Sequence, residues 1–170
     1  DVQNLISATD FSFYVGEQLV SLYSDKKEYQ FKVAKTLLDD GFSLSNILKS
    51  LFAVLKNAKH LIVYDKKALR HQLYTLNFYD NVNADDLSIV KYLADFGGAN
   101  ENVLDVITAY SMPETTPAYS IYAIFNKLKS TLIAEDMLSL YTDIELPLAD
   151  LLFDMEVCGF KVDKDALDDL

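Results

Sequence analysis

The stretch HLIVYDKKALRHQL, residues 60–73, decides the fold. His60 to Tyr64 form a near-continuous apolar run, which suits a strand covered on both faces. Asp65 stands where that strand ends, and residues 66–73 continue as a helix, so strand, carboxylate and helix follow one another without a linker. Covering both faces of a strand requires helices on each side of its sheet, and the flanking sequence supplies them.

Upstream, residues 11–15 (FSFYV), 18–23 (QLVSLY) and 28–33 (EYQFKV) are short β-branched and aromatic runs separated by Gly16 and by the Ser24-Asp25-Lys26 turn. Three such runs predict an antiparallel meander, with Tyr29, Phe31 and Val33 sharing one face. Residues 45–58 predict a helix on which Leu44, Ile47, Leu48, Leu51, Phe52 and Leu55 make one stripe, capped by Ser43 or Ser45. Downstream, helices are predicted over residues 85–96, with Leu87, Val90 and Leu93 inward and Gly97-Gly98 as terminator, and over 102–110. A loop through Pro113 and Pro117 leads to a long helical region from Ala118, interrupted near Ala134-Glu135-Asp136. Its last segment carries Pro147 in a first turn, a buried stripe of Leu148, Leu151, Leu152 and Met155, and Gly159 as its stop. The order of elements predicts an α/β domain, a mixed sheet flanked by helices.

Composition narrows the function classes. The 170 residues hold 15 Lys and Arg against 26 Asp and Glu, a net charge of -11 with a single arginine, Arg70. That is the wrong sign for a domain that grips nucleic acid alone, because phosphate contacts need cations. Lys56, Lys59, Lys66, Lys67 and Arg70 form a local basic cluster with two readings: contact with a phosphate backbone or neighbouring domain, or a solvated face. The 11 tyrosines fit core packing better than base stacking. The single Cys158 excludes an internal disulfide and reads as a packing residue near a helix end. His60 and His71 have no ligand pattern beside them, and no zinc site is expected. Neither a membrane-length apolar run nor a signal peptide is visible, so a cytoplasmic protein is expected.

Several of these segments resemble the proofreading exonuclease region of bacterial DNA polymerase I (family A). That resemblance implies an RNase H-like (DnaQ-type) fold with two divalent metals held by four carboxylates, because two cations about 4 Å apart need several carboxylate oxygens around them. The family's first strand runs Phe-Ala-Phe-Asp-Thr-Glu. Laid on Phe11, Ser12 and Phe13, it puts Tyr14 at the Asp and Gly16 at the Glu. Glu17 is one residue too far, which would turn it to the opposite face. The family's Asn-Leu-x-Tyr-Asp segment matches Leu61, Ile62, Val63, Tyr64 and Asp65. Asp65 takes the ligand position, with a helix cap as its other reading. Asp86, Ile89, Tyr92 and Leu93 match a further helix, where Asp86 reads equally as a helix-start carboxylate. The last motif falls on residues 118–125, with Tyr122 at the Asp and Ala118 at the preceding Tyr. No Asp or Glu occurs between Pro117 and Ala134, so no shift of register supplies one.

Residues 140–170, LYTDIELPLADLLFDMEVCGFKVDKDALDDL, resemble the segment that leads into the polymerase thumb. The expected organisation is a degenerate 3′–5′ exonuclease-like domain over 1–139 and a connecting helix with the start of the thumb over 140–170, excised from a longer polypeptide. The resemblance implies a chain that has lost its metal site, inactive as nuclease and polymerase, needing no cofactor of its own, monomeric, and supporting a parent DNA-directed DNA polymerase that uses Mg²⁺. Its partners would be the thumb and palm of the same polypeptide, with DNA reached through the parent. Two alternatives are an active exonuclease with relocated carboxylates, drawn from Asp10, Glu17, Asp65 and Asp86, and an unrelated acidic interaction module.

Overall fold

A computed structural model describes residues 10–36, 39–95 and 102–159. Strands β1 (Asp10–Val15), β2 (Leu19–Ser24) and β3 (Lys27–Lys32) form the expected antiparallel meander, with Asp25 and Lys26 turning the β2–β3 hairpin at positive φ. Helix α1 (Leu44–Asn57) crosses to β4 (His60–Val63), which lies parallel to β1. Helix α2 (Lys66–Thr75) leads to a two-residue strand β5 (Asp85–Asp86), parallel to β4, and then to α3 (Leu87–Ala94). Helices α4 (Val103–Ala109) and α5 (Pro117–Ala134) follow. The sheet order is β3-β2-β1-β4-β5, a mixed five-stranded sheet flanked by helices, as in RNase H-like folds.

The strand period of two divides the apolar residues between two cores. Phe11 and Phe13 of β1 and Leu61 and Val63 of β4 join α1 and α2 on one face. Tyr14 and Ile62 join α3, α4 and α5 on the other. This is why residues 60–64 show no clean alternation. Helix α1 is capped by Ser43, whose hydroxyl accepts from the Asn46 amide at 3.3 Å. Helix α5 takes no side-chain cap from Thr116, but Glu28 of β3 accepts from the Tyr119 amide at 2.8 Å. The buried Ser12 hydroxyl donates to the Ala118 carbonyl at 2.7 Å, tying α5 to the central strand.

Several expectations need correction. Residues 85–86 pair with β4 as a strand, and the helix begins at Leu87; its expected Gly97-Gly98 terminator lies outside the described residues. The larger correction is at the C-terminal side. Residues 138–158 are one helical run, α6 (Leu138–Leu140), a π-helical turn (Tyr141–Glu145) and α7 (Leu146–Cys158); Pro147 lies in the first turn of α7 as expected, but that turn continues from a helix and not from a loop. The Leu146 amide reaches back five residues to the Tyr141 carbonyl. Pro147 has no N–H to offer Asp143 and its ring crowds that carbonyl, and the wider turn accommodates both.

The π turn rotates everything after it. An α-helix advances about 100° per residue, so one extra residue in a turn shifts the inward face by that angle. Counting at helical spacing from the fully buried Tyr141, an uninterrupted helix would turn Leu148, Leu152 and Met155 inward. Instead Phe153 is buried and Leu146 packs on the α3–α5 core. Leu148, Leu151, Leu152 and Met155, the expected buried stripe, are 40%, 55%, 39% and 60% exposed. Cys158 ends α7 exposed rather than packed, and residues 160–170 lie outside the described region.

Candidate functional site

The carboxyl ends of β1 and β4 lie side by side, and in open α/β sheets this edge is where ligands bind. A pocket opens there between Tyr14, Val15, Val63, Tyr64, Asp65, Gln72, Val103 and Ile121. Tyr14 is buried, and desolvation holds its hydroxyl above the ordinary phenol range. Its ring lies directly over Gly16. A Cβ on residue 16 would sit 2.7 Å from the Tyr14 Cζ and overlap the hydroxyl. Only a residue without a side chain leaves room for the phenol in this position.

Asp65 enters the same pocket, and its Oδ1 accepts from the Ala68 amide at 2.8 Å as the cap of α2. Tyr14, Gly16 and Asp65 are therefore brought together, and Tyr122 is not. Tyr122 packs on Tyr23 with ring centroids 5.2 Å apart, and lines a separate pocket with Asp10 and Lys26. The preceding residue, Ile121, faces Tyr14 instead. The alternative carboxylate set is also dispersed. Asp10 lies with Tyr122, and Glu17 pairs with Lys35 at 2.8 Å, which lowers the Glu17 carboxyl below the usual range. Asp65 and Asp86 share the rim of a second cleft, with Lys67 and Glu145.

Asp86 is 2% exposed. Its Oδ2 accepts from the Lys66 amide at 2.7 Å, and its Oδ1 accepts from the Ser88 amide and hydroxyl at 2.8 and 2.7 Å. One carboxylate thus satisfies free amides at the starts of both α2 and α3. Burial pushes its pKa up to about 6, against the opposing pull of these donors. Tyr141 completes the junction. Its hydroxyl accepts from the Asp86 amide at 2.9 Å and donates to Asp85 Oδ1 at 2.8 Å. Burial, then the Asp85 charge, raises this phenol far above its ordinary value.

The basic cluster has a use that sequence reading missed. Lys66 is nearly buried, and its ammonium donates to Asp150 Oδ2 at 2.7 Å. Arg70 donates to Asp150 Oδ1 at 2.9 Å and to Asp154 at 3.1 Å, with its guanidinium 3.9 Å from the Phe153 ring centroid. Lys67 and His71 both meet Glu156 at 2.7 Å, which lowers the Glu156 carboxyl. Lys56 pairs with Asp80. Most of these cations therefore face the acidic side of α7 or a surface carboxylate, neither bare solvent nor an open phosphate-binding face. The signal was in the spacing: Lys66 and Arg70, like Asp150 and Asp154, are four residues apart and share a helix face. The tyrosines are also divided. Tyr141 and Tyr14 are core residues, whereas Tyr79 and Tyr92 are 65% and 56% exposed.

Among the described residues, no three His, Cys, Asp or Glu side chains gather as a set able to hold a metal ion. The strand-end pocket is lined by one carboxylate, Asp65, and the Tyr14 phenol lies over the backbone of Gly16 beside it. No helix among the described residues is long and apolar enough to cross a membrane. No family model matches the chain. The chain is 26% identical over 164 residues to DNA polymerase I of Caldicellulosiruptor bescii, a match that covers 91% of this chain and 18% of that protein. The chain is thus related to a region of DNA polymerase I and spans less than a fifth of that relative's length.

Proposed function

We propose that the chain is an exonuclease-like domain of a DNA polymerase I-type protein, that it no longer cleaves DNA, and that it serves as a structural support for the polymerising part of the same polypeptide in DNA replication and repair. The observation that carries this reading is the Tyr14 ring lying over Gly16 at the carboxyl end of β1, beside an Asp65 committed to capping α2. A two-metal nuclease needs carboxylates at that position to balance about four positive charges and to orient a hydroxide. A phenol held neutral by burial supplies neither. The net charge of -11 also leaves the chain a poor independent holder of a DNA strand. DNA is then reached through the parent protein, in the cytoplasm, and Mg²⁺ acts in the polymerising part. The chain itself is expected to be monomeric.

The test is digestion of an end-labelled single-stranded oligonucleotide in Mg²⁺ and in Mn²⁺, beside Asp65→Ala. The expected result is no metal-dependent shortening with either protein. Shortening that Asp65→Ala abolishes would show that a rebuilt metal site exists and would overturn this reading.

A further inference from the structure

The π turn leaves α7 inverted relative to an ordinary surface helix: its acidic residues face the body and its leucines face outward. Ile144, Leu148, Leu151, Leu152 and Met155 fall at spacings of four, three, one and three, a single helical face, and each is at least 39% exposed. Such a face is distinct from singly scattered surface leucines, because apolar residues gathered on one exposed face favour contact with another surface. Its position is also imposed. Rotating the leucines inward would tear Asp150 from the nearly buried Lys66 ammonium. Leu148 and Leu152 additionally line, with Ile89 of α3, the apolar side of the cleft that Asp65, Lys67 and Glu145 border.

We infer that the outward face of α7 is the seat on which the polymerising part of the same polypeptide rests; the inference depends on the structural-support reading above. Two observations select that occupant. The related polymerase is more than five times as long as the matched region, so most of such a polypeptide lies outside this chain. Carboxylates border the stripe, Asp143 beside Ile144 and Glu145 at the cleft with Leu148, in a chain of net charge -11. A second copy would bring like charge to like. A part that holds DNA carries excess Lys and Arg for the phosphates, a charge of opposite sign to this acidic chain.

The experiment compares hydrogen exchange at residues 144–155 in the 170-residue chain and in the longer natural polypeptide, with DNA synthesis by the longer protein measured in parallel. In the longer protein, exchange along α7 slows by about tenfold or more. Leu151→Lys restores fast exchange there while leaving the melting temperature of the 170-residue chain unchanged. If the longer protein synthesises DNA while residues 144–155 exchange as fast as in the short chain, the seat is wrong and the structural-support reading stands on another surface. If the longer protein synthesises no DNA, that reading falls and the inference with it. If the 170-residue chain sediments as a dimer that Leu151→Lys dissolves, a second copy covers the face and the inference is overturned.

Discussion

Replacing Asp150 by Ala tests the ionic contact that fixes the orientation of α7. Lys66 is 4% exposed and its ammonium lies 2.7 Å from Asp150 Oδ2, while the carboxylate itself is 27% exposed. Removing one partner of a buried pair costs about 3–5 kcal/mol, because the remaining charge stays desolvated. The partial exposure of Asp150 and the second carboxylate available to Arg70 place the expected loss at the low end, about 3 kcal/mol. For a domain of this size that lowers the melting temperature by about 6–12 °C. Urea unfolding followed by far-ultraviolet circular dichroism at pH 7 reads the change. Asp154→Ala is the internal standard: its carboxylate is 64% exposed, so its removal costs no more than about 1 kcal/mol. Replacing both members of the buried pair, Lys66→Met with Asp150→Leu, should return most of the loss, since a well-packed apolar pair often equals or exceeds a buried ion pair. Equal losses for Asp150→Ala and Asp154→Ala would refute the argument, because burial of Lys66 would then carry no penalty.

Tyr141→Phe keeps the buried ring and strands the Asp86 amide; a loss of about 1–3 kcal/mol is expected in the same unfolding assay. Gly16→Ala should cost about 1–3 kcal/mol by overpacking, and the added substitution Tyr14→Ala should relieve that strain in a double-mutant cycle. Deleting Thr142 should convert the π turn to regular helix and rotate α7 by about 100°; Asp150→Ala would then add little further loss, and a full additional loss would contradict the rotation. Asp86 has a folded-state pKa of about 6, above its ordinary 3.8. The folded state therefore holds that proton more tightly, and the stability contributed by this group is full below about pH 4 and is lost as pH rises towards 6. Carboxyl titration by nuclear magnetic resonance should place Asp86 near 6, and Asp86→Asn should flatten the pH 4–6 slope of stability.

Four of the five strands and most of the helices were legible in the sequence, because the two periods of hydrophobicity were written clearly, whereas the two-residue β5 was read as the start of a helix. The alternation over residues 28–33, the unbroken apolar run over 60–64 and the stripe through Ile47, Leu51 and Leu55 each lead to one local structure whatever surrounds them. The sequence also placed Tyr14 and Gly16 at the end of β1, where the resemblance to a proofreading exonuclease expects carboxylates. Which of these residues meet was decided only by the tertiary structure. Tyr122 turns to Tyr23, away from Tyr14, because its face follows from how α5 lies across β1. The leucines of α7 show the same limit more sharply. Their spacing identifies a helix face but carries no information about its phase relative to the body. The single extra residue in the turn after Tyr141, together with the need of Lys66 and Arg70 for Asp150, sets that phase and turns the apolar side outward.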